Sequence, residues 1–345
     1  MDTKRQQEIL GVILENEPVG ISGIMEKISG QISVPTLNRE LAKLKKSDFI
    51  LPEGKGPGTR YKVNLNGLIK ANIDATAFFK TDMDSRRIIQ RYNPFIFDAL
   101  KKTVLFTPKE IALLDKHTAI YKKKIGRTAK DNLNREFERL MIELSWKSSQ
   151  IEGNTYDLLD TEQLLKYNIA SPGHTKEEAQ MLLNHKSAIE YTREHADIFR
   201  EISVSNIIDL HALLVRDMGI SKTIRKRLVR ITGTKYLPPD NQFIVEDGLE
   251  NLCRYVNTNA NHYEKALASL LLTSYIQPFD DGNKRTARLL ANALLMSAGM
   301  CPLSYRSVSP ADFKRAVLLF YELNNITAVK EIFIEQYRFA VENYF

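Results

Sequence analysis

The densest cluster of chemistry-bearing residues in this 345-residue chain is the run from Gln277 to Arg288, QPFDDGNKRTAR. Asp280 and Asp281 precede a glycine, Asn283, Lys284 and Arg285 follow it directly, and Arg288 comes three residues later. Gly282 lets the backbone turn and approach a ligand closely. Asn283 stands where a helix begins, so free backbone N–H groups point out of the turn. Arg285 and Arg288 share one helix face. Cations in a first helical turn oppose the macrodipole at roughly 0.3–1 kcal/mol each. A bound anion removes that cost, and a helix N-terminus is a natural phosphate cradle. A carboxylate such as Asp281 beside that cradle is how Mg²⁺ is held, with the phosphates completing its coordination. The plain alternative is a helix-loop-helix whose Asp and Arg residues pair with each other.

The elements that position this run are two apolar segments of helical character, Lys265 to Ile276 and Arg288 to Ala298. A second polar cluster, Leu144 to Tyr156 (LSWKSSQIEGNTY), follows another helical stretch, about 132 to 147, with Leu133, Phe137, Leu140, Met141, Leu144 and Ser145 on one face. Ser148 and Glu152, four apart, are neighbours on that helix, and Gly153 and Asn154 read as its C-terminal cap. A carboxylate in a last helical turn is unfavourable with the dipole. Glu152 is therefore expected to seek a cation, unless it faces solvent or pairs with Lys147.

The first run resembles the signature of the Fic family (filamentation induced by cyclic AMP): His, any, Phe, any, Asp or Glu, Gly, Asn, Gly or Lys, Arg, any, any, Arg. Every fixed position matches except the first, where Gln277 replaces the histidine. The second run resembles the family's inhibitory motif: Ser or Thr, three residues, Glu, then Gly or Asn. The resemblance implies ATP and Mg²⁺ as cofactors and transfer of AMP to a Ser, Thr or Tyr hydroxyl of a protein. Asp281 would hold the metal, and Gly282, Asn283 and Lys284 would form the anion cradle. Arg285 and Arg288 would hold the β- and γ-phosphates, and Glu152, with Ser148 and Gly153 in its motif, would pair with Arg288 and block the γ-phosphate.

The family histidine takes the proton of the target hydroxyl, and its near-neutral pKa suits that task. An amide has donors and an acceptor but no usable basicity. General-base help is worth roughly 10²–10⁴-fold in rate, so Gln277 predicts weak or absent transfer. A degenerate member, a laboratory His-to-Gln substitution and an enzyme with its base elsewhere all fit. Lys284, a glycine in most AMP-transferring members, is also seen in the Doc branch, so phosphoryl transfer is a minor alternative. Removal of AMP is another. The main competing class is a nucleotide-sensing pseudoenzyme that regulates a DNA or protein partner.

Arg227 to Pro239 (RLVRITGTKYLPP) alternates at Val229 and Ile231, turns at Gly233 and ends in prolines. It looks like the family's β-hairpin flap, which aligns an extended target segment by strand addition, with Thr234, Tyr236 and Pro238 as its target-binding residues. His211, within the apolar run 207 to 215, reads as a core histidine.

The first 65 or so residues read as a separate domain: three helices, then a Gly- and Pro-rich turn and a strand around Tyr61 and Val63. This resembles a winged helix-turn-helix. Arg39, Lys43, Lys45 and Lys46, with Lys55, Arg60 and Lys62 on the wing, suit DNA phosphates, although Glu40, Asp48 and Glu53 dilute the charge; a protein-interaction role is the alternative. The expected fold is mainly α: this winged-helix domain (1–65), a helical connector (66–109) and a helical Fic core with one β-hairpin (110–345). The net charge of +7 suits polyanion binding without specifying it. No apolar run reaches the length of a membrane span. The N-terminus lacks the apolar stretch of a signal peptide, and Cys253 and Cys301 are isolated. A cytoplasmic protein with reduced thiols is expected, and the sequence leaves a homodimer open.

Overall fold

The computed structural model describes residues 4–345, so the first three residues of the expected 1–65 domain lie outside it. Two compact units emerge: Met1–Leu105 with Arg230–Leu237 and Arg315–Val329, and Phe106–Val229 with Pro238–Lys314 and Lys330–Phe345.

The first unit begins with α1 (Lys4–Asn16), β1 (Val19–Gly20), α2 (Ile21–Lys27), α3 (Val34–Lys46), β2 (Ile50–Glu53) and β3 (Arg60–Val63). The strands form an antiparallel sheet in the order β1-β3-β2. Ile50 pairs with Val63 and Glu53 with Arg60, and the turn between β2 and β3 uses Gly54 (φ 83°) and Gly56 (φ 64°) in the left-handed region. Helical spacing buries Ile9, Leu10 and Ile13 of α1 against Ile24, Leu37, Leu41 and Leu44. Ser33 caps α3 through Thr36 N–H, with Pro35 in the first turn. The expected basic face of α3 is partly neutralised, with Glu40 3.0 Å from Lys43 and 3.4 Å from Arg39, and on the sheet Glu53 meets Lys62 at 2.5 Å.

The short helices α4 (Leu65–Ile69), α5 (Ala75–Phe78) and α6 (Ile96–Lys101) follow. Ile96, Phe97 and Leu100 are buried. The stretch between α5 and α6 is anchored by Arg86, which makes a two-pronged ion pair with Glu322, 3.0 Å on each prong. Arg86 also donates to Gly233 O at 2.7 Å and stacks on Phe79.

The expected β-hairpin at 227–239 is a correction: no strand ladder forms there. Gly233 is left-handed (φ 88°), its carbonyl is taken by Arg86, and Pro238 and Pro239 have no N–H to donate. The ladder contact that does form is a single parallel bridge at Leu237, whose N–H donates to Gln90 O at 2.7 Å and whose carbonyl accepts from Tyr92 N–H at 3.0 Å.

The second unit is helical: α7 (Pro108–Ile125), α8 (Lys130–Ile151), α9 (Leu158–Tyr167), α10 (Lys176–Glu194), α11 (Val204–Leu214), α12 (Gln242–Thr258), α13 (His262–Ile276) and α14 (Asn283–Ser297). Two more helices, α15 (Pro310–Leu323) and α16 (Thr327–Tyr344), have residues in both units. Side chains satisfy helix starts where backbone donors would be orphaned: Thr107 with Glu110, and Thr175 with Glu178, form capping boxes. α13 and α14 are buried on nearly every side, the mark of core helices. Among the described residues no helix is long and apolar enough to cross a membrane.

Glu322 is fully buried and Arg86 nearly so, so removing one partner strands a charge. Glu322→Gln is expected to lower stability by about 3–5 kcal/mol in urea unfolding, with most of that recovered in Arg86→Met/Glu322→Leu. A loss below about 1 kcal/mol for Glu322→Gln would contradict the assignment.

Candidate functional site

α13 ends where Gln277 takes a left-handed conformation (φ 51°, ψ 62°), its N–H still bonded to Thr273 O. The amide Nε2 donates back to Ser274 O at 2.6 Å, and the residue is buried. Arg225 pins this corner. Its N–H donates to Pro278 O at 3.0 Å, Nε donates to Gln277 O at 2.5 Å, and the remaining guanidinium donors reach Arg227 O at 2.8 Å and Pro239 O at 2.7 Å. Nothing in the local sequence marks Arg225, because its guanidinium reaches a backbone carbonyl 52 positions away.

The loop then closes on itself. Asn283 accepts from Phe279 N–H through Oδ1 and donates to Phe279 O through Nδ2, both at 2.8 Å. Its side chain therefore shapes the loop and is not directed at a ligand, so its share of the anticipated cradle reduces to the backbone N–H. His211 stacks on Phe279, ring centroids 3.6 Å apart. Its Nε2 donates to Asp281 O at 2.9 Å. Burial pushes the His211 pKa down to about 4, so the ring is a neutral support for the loop. This is the core histidine that the sequence suggests.

Gly282, left-handed at φ 81°, precedes α14 and offers no side-chain cap. A Cβ there would lie 3.2 Å from Val215 and 3.4 Å from His211. The first intrahelical bond is Thr286 N–H to Gly282 O. The N–H groups of Asn283, Lys284 and Arg285 thus start the helix without a side-chain acceptor, while positive side chains surround them. Arg285 and Arg288 are buried. Arg285 donates to Leu214 O at 3.3 Å and lies 3.8 Å from Asp281. The Asp281 side chain is 68% exposed.

Glu152, at the C-cap of α8, brings the second cluster to the first. Its Oε1 lies 2.8 Å from Nη1 of Arg288, and Oε2 lies 3.5 Å from Nζ of Lys284. Arg288 also donates through Nε to Ser148 Oγ (3.0 Å) and through Nη2 to Ser148 O (2.8 Å). Gly153 terminates the helix at φ 103°. Burial opposes ionisation of Glu152, but the Arg288 and Lys284 charges outweigh it and hold the carboxyl below its ordinary value. Thus Ser148, Glu152, Lys284, Arg285, Arg288 and Asp281 converge within the second unit. The three anticipated target-binding positions divide: Thr234 and Tyr236 belong to the first unit, both buried, and Pro238 to the second.

An uncapped helix start, buried guanidiniums and a lysine are groups whose chemistry suits an anion. At present a carboxylate of the same chain neutralises two of those cations. Among the described residues no three His, Cys, Asp or Glu side chains converge on one metal position.

Since Glu152 titrates below its ordinary value, its contribution to stability is complete above that value, 4.5, and disappears as pH falls through the lower, folded one. The stability difference between the unaltered chain and Glu152→Gln, from urea unfolding across pH 3 to 7, should be flat above about pH 5 and shrink below about pH 4.5. A difference that grows on acidification would refute the pairing.

Residues 201–295 match the Fic/DOC family. Among curated relatives, the protein adenylyltransferase Fic of Nematostella vectensis is 27% identical over 193 residues, covering 52% of this chain and 43% of the relative. That of Drosophila grimshawi is 30% identical over 162 residues, covering 46% and 33%. The chain spans less than half the length of these relatives. Among solved structures, Fic-1 (residues 134–508) from C. elegans superposes with a TM-score of 0.59 at 20% identity, covering 68% of this chain and 72% of that one. A Fic domain containing signaling protein from Bacteroides thetaiotaomicron gives 0.55 at 20% identity, covering 67% and 96%.

Proposed function

With a Fic/DOC family domain at residues 201–295 and a mainly helical fold shared with Fic structures, we propose that this chain is a self-inhibited, ATP-binding nucleotidyltransferase of the Fic type whose transfer of AMP to a protein hydroxyl is impaired by Gln277. The observation that carries this reading is the seat of Glu152. Its carboxylate sits on Arg288 and Lys284, the cations that a triphosphate lying across the uncapped start of α14 would use. Occupation of a phosphate site by an internal carboxylate is self-inhibition in physical terms, because both anions need the same guanidinium.

When ATP displaces Glu152, the N–H groups of 283–285 would receive its phosphates, with Arg285, Arg288 and Lys284 neutralising their charge. Mg²⁺ fits the residues present. The exposed Asp281 carboxylate provides one hard oxygen ligand, and Mg²⁺ commonly takes only one or two carboxylates, with phosphates and waters filling the rest. The metal would neutralise charge on the phosphates. Gln277 lacks basicity, and its amide is turned back to Ser274 O, so it can orient a target hydroxyl only after leaving that bond. The target is a protein with an accessible hydroxyl.

A second reading is a nucleotide-sensing regulator that acts through the N-terminal unit. The retracted amide of Gln277 favours it, as do the three helices and antiparallel sheet, which suit a winged helix-turn-helix. Pairing of Lys43, Arg39 and Lys62 with glutamates favours a protein partner over DNA within that reading.

The deciding assay is transfer of label from α-labelled ATP with Mg²⁺. Glu152→Gly/Gln277→His should label protein, and Glu152→Gly alone should be slower by about 10²–10⁴-fold. If the double variant binds ATP and labels nothing, the transferase reading fails and the regulator stands.

A further inference from the structure

Ser148 contacts Arg288 twice, and its hydroxyl has one further neighbour. His185, in α10 and fully buried, places Nε2 2.9 Å from Ser148 Oγ. The protons in this cluster can be assigned from chemistry. A guanidinium only donates, so Ser148 Oγ accepts from Nε of Arg288. Serines in core helices often turn their hydroxyl to a carbonyl one turn back. Ser274 does this, 2.8 Å from Leu270 O; Ser148 has no such bond, and His185 is the remaining acceptor. Its hydrogen therefore points at Nε2, and the ring proton sits on Nδ1, which is buried without a partner among the described residues.

We propose that His185 is the positioning residue of the Glu152–Arg288 contact, acting through the Ser148 hydroxyl. By accepting the serine proton, His185 holds Oγ in the side-chain rotamer in which a lone pair faces Nε of Arg288. Nε and Nη2 are then both committed to Ser148, and Nη1 is presented to Glu152. Without that acceptor, the Ser148 side chain is free to change its χ1 rotamer and carry Oγ away from Arg288 to the carbonyl of Leu144, one turn back. Arg288 then loses one of its two anchors on Ser148, and the hold on Glu152 weakens. A cationic ring would fail in this place, facing Arg288 across one hydroxyl with Arg285 nearby. Burial and those two charges push the His185 pKa down to about 3, so the ring is neutral throughout the working pH range. An unmatched buried donor at Nδ1 is unfavourable, and the fold retains it here beside the inhibitory contact.

This inference rests on the reading of Glu152 as an inhibitor of ATP binding, and two measurements keep them apart. In calorimetric titration with ATP, His185→Phe should tighten binding roughly tenfold, in the direction of Glu152→Gly. His185→Gln, whose amide oxygen can accept the serine proton, should stay near the unaltered chain, and His185→Phe should add nothing in a Glu152→Gly background. Equal shifts for Phe and Gln, or a further shift without Glu152, would assign His185 a general packing role and overturn the proposal. If Glu152→Gly itself leaves ATP affinity unchanged, the self-inhibition reading fails first. The second measurement needs neither ATP nor a substitution. The ¹⁵N resonances of His185 in the unaltered chain should show the neutral Nδ1–H tautomer between pH 5 and 8, about the range over which a free imidazole titrates. An Nε2–H tautomer or a charged ring overturns the assignment, even where His185→Phe does not fold.

Discussion

Arg288 sets the terms for the site. Its guanidinium is permanently charged, yet it lies fully buried on a helix that is itself enclosed. A charge in that position requires an anion and hydrogen-bond acceptors, or it destabilises the fold. The chain supplies Glu152 as the anion and Ser148 as the acceptor, both from the end of α8, and the face of Phe313 lies 5.7 Å from the guanidinium carbon. Through these contacts, the C-terminal turn of α8 is fixed against the first turns of α14. The rest of the site follows from that constraint. Lys284 lies within reach of the same carboxylate, and His185 from α10 completes the shell around Ser148.

Under the proposed reading, the same constraint gives the site two states. Glu152 is held at the C-cap of a helix, where the dipole disfavours a negative charge, by cations that a phosphate can engage equally well. A triphosphate offers more charge and also meets the uncapped N–H groups of α14. The loop that presents those groups is rigid for separate reasons: Asn283 on the Phe279 backbone, His211 beneath Phe279, and Arg225 on the Gln277 carbonyl. Under that reading, exchange between carboxylate and phosphate needs movement of Glu152, with the loop left in place.

Much of this was legible in the sequence where the signal is local. Helical character located α8, α13 and α14, and the change from apolar to polar at Gln277 marked the loop. Gly282 before Asn283 gave the start of α14, and a carboxylate at a helix C-terminus foretold that Glu152 would find a cation. The pattern failed where contacts far apart in sequence decide. Alternation at Val229 and Ile231 suggested a hairpin. The Gly233 carbonyl is taken by Arg86 and the prolines have no donors, so that segment stays a loop. Asn283 carries a type common in ligand sites, and only the fold shows both its amide atoms on Phe279. His185 and Arg225 had no motif to announce them, because their side chains reach a hydroxyl 37 positions away and a backbone carbonyl 52 positions away.

The central claim is that Glu152 and the phosphates of ATP compete for Arg288. It can be tested by following the ¹³C-carboxyl signal of Glu152, assigned by its loss in Glu152→Gln, while ATP and Mg²⁺ are added at constant pH. The expected result is a shift of that signal that saturates with ATP binding, with a carboxyl that titrates at higher pH once its cations are taken. ATP that binds to saturation while the Glu152 signal and its titration stay unchanged would contradict the claim.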